Sequence, residues 1–395
     1  MNRSRFNYGI FVIEALNALG TAFYINYLFF LLKNEFAFTN KQNLLVCALN
    51  GLAFAPCALL GGRFGQRHGY LNGLALGSVV MIGCLGACVF LSSATGLILA
   101  MVGWTFGMCF TWPNLEALAS DHQDPAKLPA VLGVYNVIWS GGGAIALFSG
   151  GAVAEKLGWK SIFWVPLLIH LLQLVLVFAL KPAWKKLCAA PIEITGDLHE
   201  SHPEGPIFLK MAWIANPFAY IAINTIVPLI PDVATRLNLS PKFAGFFCSI
   251  WFFSRMFTFV FLALWPGWHY RFRYLVAAYV GMVICFCGIL LFENLWLLVA
   301  AQVGIGWCIG LIYYSSLYYS MHVGDTKGEH GGVHEAVIGL GIFAGPAMGA
   351  VSLQFFPGQT QSSVAGVSIV LIIGLLALLQ VCRMRRIKAQ VSAVS

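Results

Sequence analysis

Long apolar runs separated by short polar breaks dominate this chain. Twelve such runs fall near residues 8–32, 43–62, 70–92, 95–118, 129–153, 161–181, 208–231, 243–265, 272–292, 295–321, 333–356 and 362–382. A helix rises 1.5 Å per residue, so about 20 apolar residues cross the hydrocarbon core of a bilayer. Each run meets that length. A membrane β-barrel needs shorter segments of alternating polarity, and runs such as Leu167 to Leu180 do not alternate. The pattern predicts an all-α integral membrane protein of twelve transmembrane helices. The longest polar stretch, KPAWKKLCAAPIEITGDLHESHPEGP from Lys181 to Pro206, lies between the sixth and seventh runs. It divides the chain into a six-helix half over 1–181, a cytoplasmic linker over 182–207 and a second six-helix half over 208–395.

Composition agrees with lipid as the solvent. Of 395 residues 59% are hydrophobic and 10% charged, with a mean hydropathy of +0.80, whereas soluble domains carry about 25% charged residues. The first run holds polar residues and no small-residue cleavage site follows it, so it is expected to remain as a membrane helix. With the N-terminus inside, sixteen lysines and arginines fall on the cytoplasmic side and six outside, with Arg255 inside a run. The positive-inside rule therefore puts both termini in the cytoplasm, and a bacterial inner membrane is the expected location. The same asymmetry accounts for the net charge of +8 without a nucleic-acid partner. The eleven cysteines show no CxxC spacing and read as small packing residues.

The two halves repeat each other. Segment 5 contains Gly133, Gly142, Ala146-Leu147 and Gly150-Gly151; 199 positions later, segment 11 contains Gly332, Gly341, Gly345-Pro346 and Gly349-Ala350. Gly142, Ala146 and Gly150 share one helix face, as do Gly341, Gly345 and Gly349. Small residues at this spacing let membrane helices approach closely. Either static packing or a moving contact between the halves fits.

Twelve helices in two six-helix halves with a central cytoplasmic loop resemble the major facilitator superfamily of secondary transporters. Segment 5 is similar to that superfamily's antiporter motif, with Ala146-Leu147 in place of its Gly-Pro. The loop GGRFGQRHGYLN after segment 2 is similar to its loop 2–3 signature: Gly62, Arg67 and Gly69 match, while Gln66 replaces the aspartate. The resemblance implies that this loop helps lock the cytoplasmic side. It also implies that the first and fourth helices of each half line a central cavity. Segment 4 lacks the arginine often found there near Leu99 to Gly103.

Polar side chains inside lipid-spanning segments are costly and usually face a cavity. Segment 1 carries Glu14, Asn17, Thr21 and Tyr24 on one stripe. Segment 7 carries Asn216, Tyr220 and Asn224. Segment 4 offers Trp104, Trp112 and Glu116, and segment 10 offers Trp307, Tyr314 and Tyr318. Arg255, in WFFSRMFTF, costs about 2.5–3.5 kcal/mol to insert even on a lenient scale, so it needs a partner or a wet cavity. Trp251 stands one turn before it, placed to stack on a ligand or on the guanidinium. Two roles fit Arg255: binding an anionic group, or neutralising a buried carboxylate such as Glu14. Segment 11 opens HGGVHEAVIG, where His330, His334 and Glu335 suggest a gate at the cytoplasmic mouth or a solvated helix start rather than a metal site.

The chain has no HExxH, GxSxG or GxxxxGK[ST] stretch, which argues against a hydrolase and against ATP-driven transport. The expected function is secondary transport of a small solute by alternating access, with a proton or other coupling ion carried by Glu14 or Glu335; facilitated diffusion, sugar or nutrient uptake rather than efflux, and a non-transporting receptor are the alternatives. Gly62, Arg67, Gly69, Gly142, Gly150, Gly341, Gly345, Pro346, His334 and Glu335 are the expected gating residues. No cofactor or metal is expected; the partners are the solute, the coupling ion and membrane lipid, and the chain is expected to act as a monomer.

Overall fold

The computed structural model describes residues 3–121, 127–189, 203–323, 327–357 and 361–394. Among these the chain forms helices α1 (Arg3–Phe36), α2 (Asn40–His68), α3 (Tyr70–Phe90), α4 (Ala94–Cys109), α5 (Trp112–Ser120), α6 (Leu128–Leu157), α7 (Ser161–Cys188), α8 (Gly205–Arg236), α9 (Pro241–Leu264), α10 (Phe272–Leu291), α11 (Leu295–Val323), α12 (Lys327–Phe355) and α13 (Gln361–Val394), with a 3-10 turn at Pro266–Trp268 and no strand. Twelve stretches are long and apolar enough to cross a membrane, α4 and α5 together supplying one of them. The chain is a multi-pass membrane protein. The helices flanking the predicted linker reach into it, α7 to Cys188 and α8 from Gly205; residues 190–202 lie outside the described residues.

Local sequence explains the helix ends. Thr39 and Gln42 form a capping box at the start of α2, with Gln42 N–H donating to the Thr39 side chain and Thr39 N–H to the Gln42 side chain. Gly69 ends that helix at φ +94°, a backbone conformation that a side chain would oppose.

The fourth apolar run departs from expectation. It reads as one continuous helix in the sequence, but it breaks between α4 and α5 at Phe110 and Thr111. Pro113 has no N–H to donate to the Cys109 carbonyl one turn earlier. That freed carbonyl packs against Gly61 of α2, where no side chain intervenes. Asn114 mends the gap: its Nδ2 donates to Phe110 O at 2.9 Å and to Gly61 O at 3.2 Å. Unsatisfied backbone is tolerated at membrane depth only where protein covers it, and here α2 provides the cover. The break sets α5, with Trp112 and Glu116, apart from α4.

Within the first half α1 packs on α6 and α7, and α3 on α4 and α7; in the second, α8 packs on α12 and α13, and α10 on α11 and α13. Between the halves, α2 lies along α12 and α6 lies along α9. The second helix of each half thus meets the fifth helix of the other. The spans of α1 and α8 are 72% and 67% buried, whereas those of α7 and α13 are 33% buried. This puts α1 and α8 at the centre and leaves α7 and α13 against lipid.

The glycine faces pack inside their own halves rather than between them. Gly142 packs on Ala15 and Ala18 of α1, Gly150 on Tyr27 of α1, Gly341 on Pro217 and Tyr220 of α8, and Gly345 on Ile221 and Thr225 of α8. All four contacts lie within one half. The approach between halves is carried by other glycines: Gly143 against Phe252, Gly151 against Pro241 and Lys242, Gly51 against Ile342 and Phe343, and Gly339 against Ala55. Neighbouring residues on a helix point about 100° apart, so Gly142 and Gly143 serve different partners.

These two classes of glycine predict different failures. A Cβ at Gly341 would lie 2.8 Å from Tyr220 Cβ, and one at Gly143 would lie 2.6 Å from Phe252 Cε1. Gly341→Leu is expected to lower Tm by several degrees, because overpacking inside a half costs about 1–3 kcal/mol. Gly143→Leu is expected to leave Tm nearly unchanged and to wedge the halves apart, read as faster thiol labelling of the cavity. Equal loss of Tm in both variants contradicts the assignment.

Candidate functional site

A cavity of about 130 Å³ lies between the halves and draws its walls from both. Of the predicted site residues, Thr21, Trp112, Tyr220, Asn224, Trp251, Arg255 and Glu335 line it. Asn26, Asn50, Trp139 and Tyr313, which the sequence reading did not single out, line it as well. Trp139 is the first residue of WSGGG, and a tryptophan opening a small-residue run is the one signal that marked it.

Arg255 of α9 is 3% exposed. Its Nε donates to Ser140 Oγ of α6 at 3.1 Å. The Ser140 hydroxyl donates to the Phe252 carbonyl at 3.1 Å, which leaves its lone pairs turned to the guanidinium. The guanidinium carbon lies 4.1 Å from the Trp139 ring centroid, 4.4 Å from Phe252 and 5.1 Å from Trp251. Cation–π contact with desolvated aromatics is worth about 2 kcal/mol, an offset to the insertion cost. No carboxylate lies within 4 Å of it among the described residues. Of the two roles open to Arg255, the pairing with Glu14 is therefore not formed; aromatic faces and a hydroxyl take the place of a counter-ion.

The remaining candidates lie deeper in their own halves. Glu14 is fully buried, and neither oxygen has a hydrogen-bond partner; Tyr135 and Trp112 stand beside its carboxyl. Asn17 Oδ1 accepts from Gln173 Nε2 at 3.2 Å, and Gln173 Oε1 lies 2.8 Å from His170 Nδ1, joining α1 to α7. Tyr24 packs edge-on against Trp104 at 4.7 Å. Asn216 is buried with its amide unpartnered. Tyr314 packs on Trp268 and Phe259 rather than on the cavity, while its neighbour Tyr313 lines the cavity. The stripe pattern of segment 1 thus splits: Thr21 faces the cavity, whereas Asn17 and Tyr24 serve packing inside the half.

His334 and Glu335 are buried, 1% and 4% exposed, rather than a solvated helix start. They meet Glu116 of α5 from the other half. The break at Pro113 sets the course of the short helix that carries Glu116. The His330 side chain lies outside the described residues.

The halves also touch at both ends of the bundle. At one end Lys33 of α1 and Asp232 of α8 form a 3.3 Å ion pair across the halves, with Arg236 3.7 Å from the same carboxylate. There also the Lys242 N–H at the start of α9 donates to Glu155 of α6 at 2.9 Å, and Lys41 Nζ donates to Gln354. At the other end Gly332 of α12 sits against Ala58 and Gly62 of α2, and Gly331 sits against Pro113. Arg3 Nη2 donates to Leu118 O at 2.7 Å, tying α1 to α5. Of the expected loop residues, Gly62 makes this close contact, Gly69 ends α2, and Arg67 is exposed.

A family model described as Major Facilitator Superfamily matches residues 10–196. Over 137 residues, 33% of this chain, the sequence is 31% identical to an uncharacterised MFS-type transporter of Mycobacterium tuberculosis, a match covering 23% of that protein. Over 167 residues, 42% of this chain, it is 26% identical to a major facilitator superfamily multidrug transporter of Aspergillus fumigatus, covering 32% of it. The matches therefore span less than a third of these relatives' lengths. The fold is similar to that of a human organic anion transporter, with a TM-score of 0.71, 14% identity, and coverage of 96% of this chain and 100% of that one.

The Lys33–Asp232 pair is about one-quarter exposed at each partner, so its loss should change the closing equilibrium by about 1 kcal/mol, roughly fivefold. Asp232→Asn is expected to speed labelling of Cys47, which lines the cavity, by a membrane-impermeant thiol reagent added from that side. Unchanged labelling, read by peptide mass spectrometry, removes the pair from the gate.

Proposed function

We propose that this chain, which a Major Facilitator Superfamily model matches over residues 10–196, is a secondary transporter of that superfamily that moves an organic anion by alternating access. Arg255 carries this reading. It is a buried cation beside the cavity, held in place through Nε and three aromatic rings, with no carboxylate within 4 Å among the described residues. Its Nη groups remain for a ligand, and arginine presents them as a rigid fork suited to a carboxylate, sulfonate or phosphate. Trp112, Trp139, Tyr220 and Trp251 add aromatic walls, and Asn26, Asn50 and Asn224 add amide groups. The preferred solute is an anion with an aromatic or apolar body and a few polar substituents.

The alternating movement follows from how the site is built. Arg255 comes from the second half, and Trp139 and Ser140 from the first. Opening either end by rocking the halves disturbs the aromatic clamp, and a bound anion restores charge balance as the halves close. The ion pair and backbone contact around Lys33, Asp232, Glu155 and Lys242 form one gate, and the α2–α12 glycine contacts form the other. Both termini are taken to lie in the cytoplasm of a bacterial inner membrane, on the asymmetry of basic residues. Proton coupling is assigned to Glu14, a carboxyl with no hydrogen-bond partner beside Trp112, itself a cavity residue.

Reconstituted in proteoliposomes, Arg255→Lys is expected to retain transport with about 10- to 100-fold weaker anion affinity, since a point charge replaces a fork and charge-assisted hydrogen bonds are worth about 1.5–3 kcal/mol each. Arg255→Gln is expected to abolish anion uptake. Unaltered affinity and turnover in Arg255→Gln refute the anion site. Glu14→Gln is expected to abolish accumulation driven by a pH gradient while leaving exchange at equal concentrations intact. Gradient-driven uptake that survives this change places the coupling elsewhere.

A further inference from the structure

Glu116 of α5 and His334 and Glu335 of α12 form a cluster apart from the arginine clamp. One ligand atom from each residue lies within 4.8 Å of the others. The three residues are 1%, 1% and 4% exposed. Neither Glu116 oxygen nor His334 Nε2 has a hydrogen-bond partner. No lysine or arginine lies within 4 Å of either carboxyl among the described residues. Two carboxyl groups, beside each other and beside Tyr313, and an imidazole thus converge at the edge of the cavity, with the Glu116 oxygens and His334 Nε2 unpartnered among the described residues. Buried ionisable groups are stable there only if neutralised, paired or bound to a metal.

We propose that Glu116, His334 and Glu335 bind a divalent transition-metal ion that bridges the two halves. One imidazole nitrogen and two carboxylate oxygens suit Zn²⁺ or Mn²⁺. A metal-bound histidine is normally held through its other ring nitrogen. Here His334 Nδ1 lies 3.3 Å from Ser316 Oγ of α11, and Nδ1–H donating to that oxygen leaves the Nε2 lone pair for the ion. Bonds of about 2.0–2.2 Å in a tetrahedron put ligand atoms about 3.4 Å apart, so the side chains close in by roughly an ångström, within the reach of side-chain rotation. Gly331 leaves room for this: a Cβ there would stand 3.3 Å from Glu116 Oε2. Glu335 lines the central cavity, which is the route of entry. The ion ties α5 of the first half to α12 of the second at the end opposite the Lys33–Asp232 pair.

Isothermal titration of ZnCl₂ and MnCl₂ into the chelator-treated full chain tests the assignment without reference to any transported solute. One equivalent of at least one of the two ions is expected to bind, with affinity at least tenfold lower in Glu116→Gln and in His334→Gln at unchanged gel-filtration profile. X-ray absorption of the bound ion is expected to show a nitrogen and oxygen shell whose imidazole signature disappears in His334→Gln. If either variant aggregates, Ser316→Ala serves in its place and is expected to weaken binding severalfold. Failure of wild type to bind either ion, sulfur ligation, or equal affinity in the folded variants overturns the proposal. Loss of anion transport in Arg255→Gln with metal binding retained separates this site from the arginine clamp.

Discussion

Hydrocarbon offers no partner to a charge, so every charged side chain within the spans must find its environment inside the protein. The structure meets this constraint at the seam between the halves. Arg255 belongs to the second half and is clamped by Trp139 and Ser140 of the first. Glu116 belongs to the first half and meets His334 and Glu335 of the second. Neither environment exists within one half alone, so the polar groups that make the interior costly also depend on the halves coming together.

Close approach at that seam relies on backbone rather than side chains. Gly51, Gly143, Gly151 and Gly339 let α2 meet α12 and α6 meet α9 without intervening bulk. Such contacts gain dispersion energy from many atoms at once, yet no single one is strong. Directional contacts are added at one end by Lys33, Asp232 and Glu155, whereas at the other end the glycines of α12 lie against α2 near the carboxyl and imidazole cluster. The two ends of the bundle are joined by interactions of different chemistry, which different conditions can loosen separately.

The break between α4 and α5 connects local sequence to this arrangement. Pro113 removes one backbone donor, Gly61 makes room for the freed carbonyl, and Asn114 donates to the Phe110 carbonyl at the break and to the Gly61 carbonyl of α2. The short helix that results carries Trp112 to the cavity and Glu116 to the cluster.

Apolar run lengths alone determined the number of membrane spans and the membrane as solvent, because hydrocarbon thickness imposes one length on every span. The cost of burying an arginine also marked Arg255 without any structure. Helical periodicity shows which residues share a face, but not which neighbour that face meets. For that reason Gly142, Gly150, Gly341 and Gly345 were legible as close-packing positions, yet only the tertiary structure turned them toward α1 and α8 within their own halves. The same limit hid Trp139 and Tyr313, assigned Tyr314 to a cavity it does not reach, and offered Glu14 as an ion-pair partner that Arg255 does not meet. His334 and Glu335 looked like a solvated helix start because their third companion, Glu116, is more than two hundred residues away in the chain. Proximity of that kind is created by packing two halves together, and no local pattern encodes it.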